Sequence, residues 1–202
     1  MKLTRFLSVL AVAGLFTASA QASSFNHVAM NEMLKLSRLQ DQVSIASDMI
    51  DWKVGEWQSY NMESPFGNGE ARKEVTGEEG EGVWMTTTMA IMGQNIDQKV
   101  LIRRTDGKIL KIIVNGEEQP APNPEDTEIE ILEQREESIT VPAGTFDCLY
   151  IKVKMIDKAQ GQESVTELWM APKDVNMDGN VKMIAETGFM TITLALKSFG
   201  VK

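Results

Sequence analysis

From Trp52 to the C-terminus the apolar residues of this chain recur at every second position, and turn signals interrupt the alternation at steady intervals. A period of two puts successive side chains on opposite faces of an extended strand, so this pattern commits the segment to β-structure. Strands are expected over 54–63, 71–77, 82–92, 95–104, 108–115, 128–133, 138–141, 145–156, 163–170, 181–186 and 189–199. The separators include Phe66-Gly67-Asn68-Gly69, Met92-Gly93-Gln94-Asn95, Asp106-Gly107, Asn115-Gly116, Ala143-Gly144 and Gln160-Gly161, rich in the residues that accept positive φ in hairpins. Consecutive strands joined by short turns pair antiparallel, which predicts a mainly β (α+β) domain built on one large up-and-down antiparallel sheet. Residues 117–126 hold Pro120, Pro122 and Pro124 and read as an exposed polar connection, since proline cannot donate to a ladder.

The last strand is the clearest, with Met190, Ile192, Leu194 and Leu196 alternating against Thr191, Thr193, Ala195 and Lys197. In 145–156, Leu149, Ile151, Val153 and Met155 alternate with Tyr150, Lys152 and Lys154. In 82–92, Val83, Met85, Met89 and Ile91 face one way, and Trp84 and Met92 face the other with threonines, so apolar cover is expected on both sides. The cover is expected from residues 26–50, where Ala29, Met33, Leu36, Leu39, Val43, Ala46 and Ile50 recur at three- and four-residue steps. That spacing is one amphipathic helix, placed across a face of the sheet.

Ahead of the helix, Lys2 and Arg5, the apolar run 6–16 and Ala20-Gln21-Ala22 have the three parts of a cleavable secretory signal. The apolar stretch 6–20 is shorter than the ~20 residues a bilayer span needs, and Ser23 and Ser24 stand where a lipid-anchored protein would carry cysteine. The organisation expected is a signal peptide at 1–22, a helical segment at 23–51 and a β-domain at 52–202. The location expected is periplasmic or secreted, with no transmembrane segment after cleavage. Of the 20 Lys and Arg, Lys2 and Arg5 fall in the leader, which leaves 18 against 29 acidic residues and a formal charge of −11. Such a surface repels phosphate backbones, so nucleic acid is excluded as a partner. A single cysteine, Cys148, leaves no internal disulfide to staple the fold. The 13 methionines fit either a methionine-tolerant core or a groove that accommodates varied apolar ligands.

No catalytic constellation emerges, and the domain is expected not to be an enzyme and to need no cofactor. The one histidine, His27, lies within five residues of the mature N-terminus, a poor place for a catalytic base. Cys148 has no candidate base beside it and reads as an inert packed thiol. Zinc lacks ligands, and no Walker-type loop occurs. The stretch 174–180, with Asp174, Asn176, Asp178 and Gly179, matches the first half of an EF-hand loop. Its ninth position is Lys182 and its twelfth Ala185, so it reads as a solvated turn rather than a metal site.

Three segments carry a family resemblance: Trp52-Lys53-Val54-Gly55-Glu56-Trp57-Gln58-Ser59-Tyr60, Val141-Pro142-Ala143-Gly144-Thr145-Phe146-Asp147-Cys148-Leu149, and Leu168-Trp169-Met170-Ala171-Pro172 with Val181-Lys182-Met183. Together they resemble exported bacterial domains similar to the LolA and LolB lipoprotein-carrier fold, over about 52–202. In these motifs Pro142 and Gly144 shape a turn, and Phe146 and Trp169 are expected to plug the sheet's edges. The resemblance implies an incomplete barrel whose apolar concave side is partly closed by helices and, in carriers, holds acyl chains. The sequence departs from LolB in lacking the anchor cysteine. Two readings compete. In one, Trp57, Trp84, Met85, Met89, Trp169 and Met183 line a concavity that holds a lipid-like or other hydrophobic molecule. In the other, the helix fills the concavity and the domain is an interaction or scaffold protein that meets an envelope protein.

Overall fold

The computed structural model describes residues 50–91, 93–121, 127–158, 161–187 and 190–202. The leader, His27, Met92 and the helix expected over 26–50, Ile50 apart, lie outside the described residues. Eleven strands form the domain: β1 (Glu56–Ser64), β2 (Gly67–Glu79), β3 (Gly82–Ile91), β4 (Gln94–Arg103), β5 (Ile109–Val114), β6 (Glu117–Gln119), β7 (Thr127–Val141), β8 (Gly144–Asp157), β9 (Gln162–Met170), β10 (Asn180–Thr187) and β11 (Met190–Val201). They make one antiparallel sheet in the order β6-β5-β4-β3-β2-β1-β11-β10-β9-β8-β7. No helix among the described residues is long and apolar enough to cross a membrane.

The sheet is mainly a meander, as the short turns require, but the first and last strands meet at its centre rather than at its edges. Tyr60 faces Leu196 and Met62 faces Leu194, with a bulge between Ser59 and Tyr60. The chain therefore folds as two meanders, β1 to β6 and β7 to β11, sewn together by the β1–β11 ladder. The outer strands β6 and β7 are not paired to each other, so the sheet is not closed into a barrel.

Two local expectations are corrected. The segment 117–126 is not loop throughout, because Asn115 (φ 50°) and Gly116 (φ 89°) form a two-residue turn with both φ positive, the geometry that favours a tight hairpin. That turn folds Glu117–Gln119 back onto β5, where Val114 faces Glu117 and Ile112 faces Gln119. The expected strands 128–133 and 138–141 are one fifteen-residue strand. The charged stretch between them hides the alternation, yet β8 offers a ladder along its whole length, and one extra residue at Leu132 absorbs the change of register. On the side of β3 that carries Trp84, Thr88 and Ala90 are exposed and the Trp84 indole donates to Glu79 Oε2 at 3.0 Å; the helix expected to cover that side lies outside the described residues.

One face of the sheet is apolar across both meanders. Cross-strand partners share a face, so the register assigns the rows. One row runs Leu196, Tyr60, Ala71, Met89, Ile96 across β11, β1, β2, β3 and β4. It belongs to a cluster that continues through Met62, Leu194, Met183 and Leu168. Another row runs Val75, Met85, Val100, Ile112 and belongs to a second cluster capped by Ile50 and Trp52. Arg104 fixes that cap, since its Nη1 donates to Ile50 O at 2.9 Å and its own carbonyl accepts from Ile50 N at 2.9 Å. Met62, Met85 and Met183 are buried to within 1% of completeness, each contributing about 1.5–3 kcal/mol relative to exposure.

Candidate functional site

Between the two apolar clusters lies a row of a different kind. Gln58, Lys73, Thr87 and Gln98 face one another in succession across β1, β2, β3 and β4. All four are buried. Their positions follow from period two: Gln58 precedes Tyr60 and Met62 on the same side of β1, and Lys73 stands between Ala71 and Val75 on β2.

A buried ammonium is tolerated only with partners, and residues 171–179, which join β9 to β10, supply them. This connection is wound by hydrogen bonds from Asp174 N and Val175 N to Ala171 O (both 3.0 Å) and from Gly179 N to Asn176 O (3.1 Å). It is tied down when Gln58 Nε2 donates to Asn176 O at 2.7 Å and Asn176 Nδ2 donates to Gly200 O at 2.8 Å. Asp178 is thereby delivered to Lys73, and the two form an ion pair on the inner face. The Tyr60 hydroxyl lies 2.7 Å from Gln58 Oε1 and 3.0 Å from Asn180 O, and can donate to one of them at a time. Gly179 permits the approach. Its φ is +69°, and a Cβ there would fall 2.5 Å from Pro172 Cα.

Burial alone would push the Asp178 carboxyl up. The Lys73 ammonium, with the Asn180 N–H and the Gln58 amide, instead holds it below the ordinary carboxylate value. The expectation of a solvated turn at 174–180 is thus corrected: Asp174 is exposed, but Asp178, Gly179 and Asn180 are buried. Among the described residues, both polar atoms of the Gln98 and Asn180 side-chain amides, and Thr166 Oγ1, are buried without a hydrogen-bond partner.

The six residues expected to line a concavity divide between the two faces. Met85, Met89 and Met183 sit in the apolar rows of the inner face, buried. Trp57 and Trp84 are half-buried on the opposite side of their strands, whereas Trp169, which alternates with Leu168, is 6% exposed and belongs with Tyr150 to the same apolar cluster as Met89 and Met183. Trp57 faces Glu74, with the Arg72 guanidinium 4.2 Å from its ring centroid. Trp169 faces Tyr150 on one side and Lys182 on the other, and Tyr150 in turn faces Arg135. The result is a row of cation, aromatic, aromatic and cation, whose two aromatic rings are buried. Arg135 lies 3.6 Å from the Tyr150 centroid, the two rings are 4.9 Å apart and tilted by 56°, and Lys182 Nζ is 4.9 Å from the Trp169 centroid. Trp169 therefore packs within the body of the sheet, buried, rather than at an edge, whereas Phe146 packs 6.3 Å from Phe199.

The comparisons with known proteins concern the fold. No protein-family model matches the sequence, and a comparison with curated proteins finds no match. Among solved structures, the chain is similar to a Bacteroides fragilis protein assigned as exported, with a YmcC-like fold, at TM-score 0.43 and 14% identity over 77% of this chain and 100% of that one. A Parabacteroides distasonis protein assigned as a lipoprotein gives TM-score 0.43 and 14% identity over 76% and 100%. MucB gives TM-score 0.38 and 11% identity over 82% of this chain and 59% of its own length.

Cys148 is buried, its Sγ 3.7 Å from Phe146 O, and burial followed by the nearby Asp147, Asp174 and Glu137 charges pushes its thiol up to about 11. A thiol so placed is a packed side chain and a poor nucleophile. Sequence reasoning missed the Gln58–Lys73–Thr87–Gln98 row. The signal was present in β2, where a lysine occupies an inward position flanked by Ala71 and Val75. Its partner Asp178 carries no such mark.

Proposed function

We propose that this chain is an exported, non-catalytic binding domain that holds a hydrophobic or amphipathic molecule against the methionine-bearing face of its sheet. The observation that carries the reading is the composition of that face: two apolar clusters, the larger one holding Met62, Met89, Met170, Met183 and Met190, on either side of one polar row. Such a face suits a molecule with an apolar chain and a small polar group. The chain would gain about 0.8 kcal/mol per CH₂ removed from water, and the unpartnered amides of Gln98 and Asn180 could hydrogen-bond the polar group. The signal-like leader agrees with a role outside the cytoplasm.

The test uses full-length protein exported by its own leader. Organic extraction should release acyl species, and the delipidated protein should bind a fluorescent fatty acid saturably, near one to one. Met89→Gln, a neutral polar change in the inner row where Met89 is buried, should weaken binding by about tenfold or more, with the thermal transition measured beside it to separate loss of binding from loss of fold. Native protein without lipid, together with delipidated protein that shows no saturable binding, would overturn the proposal.

A further inference from the structure

The two edges of the sheet are very different. One is β6, three residues long. The other is β7, fifteen residues long, with no strand paired to its outer side among the described residues. Its far end turns over the sheet, where Ala143 N donates to Leu196 O at 3.0 Å, which leaves 127–137 as the open stretch. An edge strand presents a row of unused backbone donors and acceptors, which is a template for another strand.

Within that stretch the bulge places Ile131 and Leu132 side by side at the surface, 50% and 45% exposed. Around them the strand carries Glu128, Glu130, Glu133, Glu136 and Glu137 against Arg135 alone, a formal charge of −4 over 127–141. Arg135 is already held between Glu133 and Glu137. A second copy of the chain would bring like charges opposite one another along the ladder, which is destabilising. The same charges favour a strand of the opposite sign.

We propose that β7 is a docking edge for an extended, lysine- or arginine-bearing segment of a partner protein, which adds to the sheet as a twelfth strand. Its backbone pairs along 127–137, its basic side chains meet the glutamates, and an apolar side chain covers Ile131 and Leu132. The acidic edge thus refuses self-association while admitting a basic strand. This surface is separate from the methionine-bearing face, and either can operate without the other.

The test probes the full mature chain with an alternating lysine–valine peptide of about ten residues, a strand's length. A lysine–glycine peptide of equal charge is the control, since glycine weakens strand formation. Backbone amide shifts should move along β7, and the affinity should exceed that for the glycine control by about tenfold or more and fall with salt. Combining Glu128→Gln, Glu130→Gln and Glu136→Gln, all exposed, should weaken binding about tenfold and flatten its salt dependence, with the thermal transition retained. Equal affinity for the two peptides, shifts away from β7, no binding, or dimerisation through β7 would each overturn the proposal.

Discussion

Lys73 and Asp178 lie 105 residues apart in the chain and form an ion pair whose side chains are 1% and 0% exposed. The pair bolts the β9–β10 connection to β2, and so links one half of the sheet to the other. Buried pairs are not strong stabilisers against apolar replacement, but removing one partner strands a charge. Asp178→Leu alone is expected to cost about 3–5 kcal/mol. Lys73→Met combined with Asp178→Leu should recover much of that loss, and urea titrations of the three proteins measure it.

The same carboxyl sets an acid limit. Its folded value lies below the ordinary 3.8, so its contribution to stability is present above that value and is lost as pH falls through the lower folded one. The stability gap between the wild type and Asp178→Asn should therefore be constant near neutrality and shrink below about pH 4. Denaturation midpoints taken at several pH values check this, and a gap independent of pH down to full acid unfolding would contradict it.

Gly179→Ala meets both a positive φ and the Pro172 backbone. A loss of about 1–3 kcal/mol is expected, read as a lower melting temperature. Gly93, at φ 75° with nothing near its missing Cβ, carries the torsional penalty alone, so Gly93→Ala should cost less.

Cys148 should react with a thiol reagent at mildly alkaline pH only when the domain opens, because burial keeps it protonated and covered. Its folded value, about 11, lies above the ordinary 9.0, so its contribution is complete below 9.0 and lost as pH rises toward 11. Modification rates with and without urea test the first statement. Cys148→Ala, compared with the wild type across that window, tests the second.

The division of Met183 and Trp84 between faces gives a binding prediction. Trp84→Phe changes the outer face, so fatty-acid affinity should stay within about twofold of wild type. Met183→Gln, on the inner face, should weaken it by about tenfold or more, since a buried amide opposes an acyl chain. Equal losses in both variants would place the ligand elsewhere.

Sequence by itself determined most of the strands, because alternation is a local property that survives wherever one face is buried; β6, three polar residues long, is too short to show it. The tight turns were equally legible from glycine and asparagine. Where the alternation was masked by charge, as at Gln134 to Glu137, one strand was read as two. Which strands become neighbours was not local: the β1–β11 ladder joins segments more than a hundred residues apart, and pairing at that range depends on how both meanders curl. The same holds for the candidate site. Lys73 shows its inward position in the sequence, whereas Asp178 sits in a stretch that looks like any polar turn. Only the tertiary structure brings the two together, because the energy of a buried charge is decided by what stands beside it in space.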